Sequence, residues 1–278
     1  LFKFINKCHN YYMKIKKLLS LLILIIVLVI LLVFLVRKPS HDRVWPIDQS
    51  VMPYSVINES TVDIKNIRNF TYTSTKDYIP NYYDKTFDLN KIKTVDYIVE
   101  PLASVAAAHT FLSFGFDDGE YLAISIESRR EVGEEFSPFK GLIREYELLY
   151  IIADERDVVS LRANHRNRDV YLYPIIASPE KIKELFLDML NRANEIKENP
   201  EFYNTITNSC ATNIADHVNK ITPNSIPWDY RLILPKNSDE FIYDLGMIDN
   251  SLTLEEVRKK HLISPAAEKY ANDLDFSV

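Results

Sequence analysis

HTFLSFGFDDGEYLAISIES, residues 109–128, decides how the chain is read. Two runs rich in aromatic and β-branched residues flank a polar turn, the pattern of a β-hairpin. Phe116-Asp117-Asp118-Gly119-Glu120 suits a three-residue loop, a type I turn with Gly119 in the left-handed bulge position. Pairing Phe116 with Glu120 then sets His109 opposite Glu127, with Cβ atoms about 5 Å apart on one face. A two-residue Asp118-Gly119 turn would throw Glu127 onto the other face; the three-residue loop is the expected register.

Working outward, further strand-like runs lie at Thr61–Tyr72, Val95–Glu100, Leu148–Ala153 and Val170–Ile176. Ser178-Pro179 reads as an N-cap with proline at the first helical position. Ile182, Leu185, Phe186, Met189, Leu190, Ala193 and Ile196 then keep helical spacing. A second helix is expected from about Cys210 to Lys220, and a weaker third over Thr253–His261. Strands first and helices later, with few βαβ alternations, predict an α+β domain. Only 5 glycines in 278 residues argue against flexible linkers.

The N-terminus is a different material. Leu18 to Val36, LLSLLILIIVLVILLVFLV, is apolar apart from Ser20. Nineteen residues at about 1.5 Å each match the hydrocarbon thickness of a bilayer. The run exceeds a usual signal-peptide core and exits through Val36-Arg37-Lys38-Pro39 with no small-x-small site, so an uncleaved anchor is expected rather than a removed leader or a soluble core helix. Met13-Lys14-Ile15-Lys16-Lys17 is a good basic lead-in, which makes Met13 an alternative start to Leu1. A slight cationic excess before the helix favours a cytoplasmic N-terminus and an exported C-terminal domain. The expected organisation is a basic segment (1–17), a transmembrane helix (18–36), a juxtamembrane stalk (37–53) and an exported domain (54–278).

Residues 1–38 hold seven cations and no carboxylate, which leaves 26 cations against 39 anions, a balance of −13, for the remainder. A domain that acidic has no electrostatic footprint for nucleic acid, and its net charge would not grip anionic surfaces such as phospholipid headgroups. Cys8 precedes the anchor and Cys210 follows it, so the exported domain carries one lone thiol. No phosphate-binding glycine loop and no dinucleotide fingerprint is present, and no cofactor is expected.

Cys210 follows the N-cap formers Thr207-Asn208-Ser209, which puts it in the first turn of its helix. Unpaired N–H groups and the helix dipole there stabilise a thiolate and supply donors for an oxyanion. A small buried residue packing a helix start would look the same in isolation. Among possible bases, His217 is about 10 Å along the same helix and cannot reach the sulfur. His41 sits beside the membrane, His261 in a charged run, and His165 in the polar stretch 162–169 that reads as a surface loop. His109 opens an otherwise uncharged strand, where an imidazole needs a reason. Cys210, His109 and Glu127 make a nucleophile, a base and an orienting carboxylate; Ser128-Arg129-Arg130-Glu131 reads as a solvated strand exit. A metal reading of the same three residues is weaker, because closely spaced Cys/His pairs are absent.

The segments 109–116, 124–131 and 203–213, with Asp42-Arg43-Val44-Trp45 and Trp228-Asp229-Tyr230-Arg231, resemble the Lnb N-terminal periplasmic domain family from roughly Arg43 onward. The resemblance implies a bacterial cell-envelope protein of largely unassigned biochemical role. The His-before-Cys order is also similar to circularly permuted papain-like enzymes, including NlpC-type peptidases and lecithin:retinol acyltransferase-like proteins. That likeness implies an antiparallel sheet with packed helices, Cys210 as nucleophile, His109 as base and Glu127 as orienter, with Ser125 or Ser128 as alternatives for the third position. The papain oxyanion-hole glutamine has no match, and Asn208 stands as a candidate donor or a plain N-cap.

The expectation is therefore an inner-membrane, single-pass protein bound to the bilayer through residues 18–36. Its exported domain would be a thiol hydrolase or acyltransferase acting on peptidoglycan or on lipid or lipoprotein. The alternative is a non-catalytic envelope binding or assembly module. Protein partners are not legible.

Overall fold

The computed structural model describes residues 2–103, 106–273 and 276–277. Leu1 and the side chain of Cys8 lie outside the described part. α1 (Phe2–Val36) runs without a break through the basic segment and the apolar run. From Tyr11 to Val36 it is long and apolar enough to cross a membrane, and its apolar window has no buried residue. After the short α2 (Ile47–Ser50) come β1 (Tyr54–Ile57), β2 (Thr61–Arg68), β3 (Thr71–Tyr72), β4 (Tyr78–Ile79), β5 (Tyr82–Asp88), β6 (Ile92–Pro101), β7 (Ala108–Phe116) and β8 (Tyr121–Arg129). Then follow α3 (Pro138–Leu142), β9 (Glu147–Asp154), α4 (Glu155–Ser160), β10 (Tyr171–Pro174), α5 (Pro179–Glu198), α6 (Cys210–Ile221), α7 (Ser238–Asp244), α8 (Leu254–His261) and α9 (Ser264–Lys269). The order is mixed α+β.

Among the described residues, eight strands form one sheet in the order β1-β2-β9-β8-β7-β6-β10, with β5 also on β2; β3 and β4 pair separately. Every ladder in the large sheet is antiparallel except a single parallel contact, Arg68 with Ala153. Alternation along each strand sends side chains to two faces, and both are covered. Leu112, Phe114, Leu122, Ile124 and Tyr150 meet α5 and α6 on one side. Phe111, Ala123, Leu149 and Ile151 meet α4 and α9 on the other. Burial on both faces explains why β9 reads as an almost unbroken apolar run.

The hairpin adopts the three-residue loop. Phe116 N–H donates to Glu120 O at 2.9 Å, Gly119 has φ 82°, and Phe111 pairs with Ser125 and Gly115 with Tyr121. α5 starts at Pro179 behind a Ser178 cap, and α8 behind a Thr253–Glu256 capping box. The long run 61–72 does not stay in one strand: Asn66 takes φ 61°, the β2–β5 register shifts between Ile64 and Ile67, and the chain turns off the sheet into β3.

Three expectations need correction. Residues 37–53 are not a free stalk but lie against the domain. Arg37 pairs with Glu145 at 2.5 Å, and Arg43 with Glu131 at 2.7 Å and with buried Glu147 at 2.9 Å. Arg129, expected at a solvated strand exit, is 2% exposed. Its guanidinium stacks on Trp45 at 4.1 Å and donates to Gln49 O, Ser50 O and His41 Nδ1; His41 Nε2 in turn donates to Ile196 O at 2.8 Å. Arg144 donates to Phe34 O at 2.6 Å and covers the Phe34 ring, while Phe139 and Ile143 border Ile26, Val29 and Ile30 of α1. The stretch 162–169 begins as a wide helical turn, with Arg166 N–H bonded to Leu161 O, and buries Arg162 at 2% exposure. His261 ends α8 as expected, but its ring packs on Tyr173 with centroids 5.5 Å apart.

Candidate active site

α6 begins in a capping box. The Ser209 hydroxyl accepts from Thr212 N–H, and Thr212 Oγ1 accepts from Ser209 N–H at 2.8 Å. Cys210 is therefore the first helical residue, where the peptide N–H groups lack intrahelical acceptors. Its side chain is 6% exposed and belongs to the apolar layer beneath α5 and α6.

His109 projects from the opposite face, the side of Phe111, with which its ring stacks at 5.9 Å. The two meet because the sheet parts locally. The β7–β8 ladder stops at Phe111–Ser125, while β8 stays paired with β9 as far as Arg129–Glu147. In the gap, the Thr110 N–H and the His109 ring both reach the Cys210 sulfur. His109 Nε2 lies 2.8 Å from Ser125 Oγ and 3.1 Å from Glu127 Oε1, and the Ser125 hydroxyl donates to the same carboxylate oxygen at 2.7 Å. With Nε2 so occupied, Nδ1 is the nitrogen left for the thiol. Glu127 thus stands beside the His109 ring, with the Ser125 hydroxyl between them.

The electrostatics favour an ion pair. Burial resists charge on His109, but the Glu127 carboxylate and the Cys210 sulfur together outweigh it and the pKa is pushed up to about 9. Burial would push the Cys210 thiol up; the adjacent imidazole, then the Thr110 N–H and hydroxyl, bring it below its ordinary value. Burial also opposes ionisation of Glu127, yet His109, Arg162 and the Ser125 hydroxyl hold its carboxyl well below the usual range. All three shifts thus run toward the charged form of each group, thiolate, imidazolium and carboxylate. The buried Thr110 hydroxyl thus stands beside the sulfur.

Sequence reasoning missed the arginines. Arg162 spans Glu100 and Glu127, 3.0 Å from each. Glu100 is wholly buried, stands opposite His109 in the β6–β7 ladder, and also faces Arg166 at 3.4 Å and Arg168 at 3.3 Å. The available signal was four arginines within 15 residues of a stretch rich in neither glycine nor proline. A cleft of about 390 Å³ opens over these groups, bordered also by Phe136, Tyr203 and Leu234.

Asn208 is not brought into this set. Ser209 is the cap, and Asn208 turns away to donate to Phe202 O at 2.9 Å and accept from Asn213 Nδ2 at 2.8 Å. His217 stays clear of Cys210, bonded instead to Asp188 and Tyr150, both at 2.8 Å. Burial lowers its pKa despite Asp188. Among the described residues no group of three or more His, Cys, Asp or Glu could hold a metal ion.

The chain belongs to the Lnb N-terminal periplasmic domain family, whose sequence model matches residues 78–236. That span is narrower than the resemblance from Arg43 onward, and it includes Cys210, His109, Glu127 and Asn208. Neither a curated protein nor a solved structure matches the chain.

Proposed function

We propose that the domain, residues 54–278, is a papain-like thiol enzyme. In this reading it is anchored through residues 18–36 in the bacterial inner membrane with its N-terminus in the cytoplasm. It acts by acyl transfer on envelope material, to water or to another acceptor. The Cys210 thiolate attacks a carbonyl carbon, and the N–H groups at the start of α6 and the Thr110 hydroxyl hold the resulting oxyanion. His109 gives its proton to the leaving amine or alcohol as that bond breaks, which leaves a Cys210 thioester. Water or an acceptor amine then attacks the thioester, its proton passing to His109, and the thiolate departs. Glu127, bridged by Ser125, keeps the imidazole oriented and charged. A peptidoglycan amide and a lipid acyl link are the two bonds that the location favours.

The observation that carries this reading is the convergence of Cys210 and His109 from opposite faces through a gap in the sheet, with Glu127 behind. A structural cysteine requires no such interruption. The competing reading, a binding module without turnover, draws on the 6% exposure of Cys210. The test is incubation of the full chain in detergent with a p-nitrophenyl ester, followed by intact-mass analysis. A hydroxylamine-labile acyl adduct on Cys210, absent from Cys210→Ala and from His109→Ala, is expected. Equal adduct in the Cys210→Ala protein would refute the proposal.

A further inference from the structure

The cleft reverses the charge of the domain around it. Beyond Arg37 and Lys38 the chain carries −13, yet four arginines (Arg130, Arg162, Arg166 and Arg168) and only two carboxylates, Glu100 and Glu127, border the cleft. One buried carboxylate cannot balance the three guanidinium groups that converge on Glu100. Arg162 is fully used, since it also serves Glu127. Arg166 and Arg168 keep 36% and 31% of their side chains exposed, so their remaining N–H groups face the opening. Arg130 forms no ion pair among the described residues, and its Nε is buried without a hydrogen-bond partner. A low-dielectric cleft focuses such a surplus instead of letting solvent screen it.

From these residues we infer that the cleft holds an anionic group of the substrate, a phosphate or a carboxylate, beside the bond that Cys210 attacks. The inference rests on the thiol-enzyme reading above. Guanidinium groups suit this task because their planar donors match the paired oxygens of both anions. Glu100 and His109 are ladder partners, so an anion on Arg166 and Arg168 lies roughly one to two strand spacings, about 5–10 Å, from the imidazole. The acidic net charge of the domain fails to forecast its affinity for anions, because the relevant charge is local. Glu100 has its own part: wholly buried, it gathers three arginines at one place, and the excess they leave is directed outward.

Two alkylating reagents of nearly equal size test this without a known substrate. Iodoacetate carries a carboxylate and iodoacetamide does not, so the ratio of their rate constants at Cys210 reports local potential and largely cancels thiol basicity. The full chain in non-ionic detergent, with Cys8→Ser, is compared with a free thiol such as 2-mercaptoethanol. The ratio is expected to exceed that of the free thiol by about three- to tenfold at low salt, and to fall toward it in molar salt. It is expected to drop in Arg166→Gln/Arg168→Gln and, separately, in Arg130→Gln, which disturbs no ion pair. If the double variant fails to fold, Arg130→Gln and the salt series decide. A ratio at or below that of the free thiol, or one indifferent to Arg130→Gln and to salt, overturns the inference while leaving the thiol-enzyme reading intact. Slow reaction with both reagents overturns both. Protection by millimolar glycerol 3-phosphate but not N-acetylalanine assigns the anion to a lipid-type phosphate, and the reverse to a peptide carboxylate; protection by neither counts against the site.

Discussion

Replacing Glu127 with glutamine should disarm Cys210 without touching it. His109 Nε2 lies 3.1 Å from the carboxylate, and at that distance the attraction is about 5 kcal/mol for an effective dielectric near 20. Burial cancels part of it. What remains, together with the Cys210 sulfur, lifts His109 from 6.5 to about 9, worth about 3 kcal/mol in favour of the imidazolium. Glutamine keeps the shape and the hydrogen bond to Ser125 but removes the charge, so His109 should titrate near or below its ordinary value. At pH 7 the imidazole is then largely neutral, and the thiol loses the strongest influence lowering its pKa. Iodoacetamide alkylation of Cys210 at pH 7 should slow by about ten- to a few-hundred-fold. Its pH profile should move from a broad plateau to a single rise at alkaline pH. Arg162 still has Glu100, so the fold should survive, with an unchanged far-UV circular dichroism spectrum as the check. Alkylation within twofold of the parent at pH 7, in a folded variant, would refute the ion-pair account of this site.

Three further outcomes follow from the packing. Asp157→Ala should cost about 3–5 kcal/mol in urea titrations, because the buried Arg68 guanidinium and the Phe70 N–H lose their acceptor at 2.7 Å; Asp157→Leu with Arg68→Met should recover much of the loss. Ser209→Ala removes the cap of α6 and should cost about 1 kcal/mol, while also lowering the alkylation rate by loosening the turn that carries Cys210. The pH dependence of stability should have two histidine limbs. His217 is held below 6.5 in the fold, so the unfolded chain binds more protons as pH falls below 6.5 and stability declines there; His217→Gln should flatten that limb. His109 is raised to about 9, so its contribution is full below 6.5 and is lost as pH rises to about 9. Glu127→Gln should remove this second limb.

Much of the architecture was legible because local chemistry and tertiary packing agree. The hairpin register follows from Gly119, the only residue of its loop at ease with positive φ. α5 and α8 follow from caps and apolar spacing. That register puts His109 and Glu127 on one face, where their side chains meet although the ladder itself stops at Phe111 and Ser125. The parting of β7 from β8 was not legible, because no residue between Ala108 and Phe111 marks the end of a ladder. Arg162 and Arg129 were misread for a shared reason: arginine in sequence signals solvent, whereas here carboxylates or backbone oxygens from 35 to 80 positions away solvate it. Asn208 shows the opposite failure, since any of Thr207, Asn208 and Ser209 could cap a helix, and only the Ser209–Thr212 box decides among them.

The arginine and tryptophan contacts that tie residues 37–53 to the domain set its reach. A slack linker of that length would let the domain wander roughly 20–25 Å from its anchor. With Arg37, Arg43, Trp45 and Arg144 engaged, the slack is taken up, and the cleft keeps one height and one heading relative to α1. Under the proposed anchoring the site behaves as a tool on a fixed post and serves only what passes at that height above the bilayer. Selection by distance then precedes selection by chemistry. Lengthening the segment would widen what the domain meets without altering the cleft.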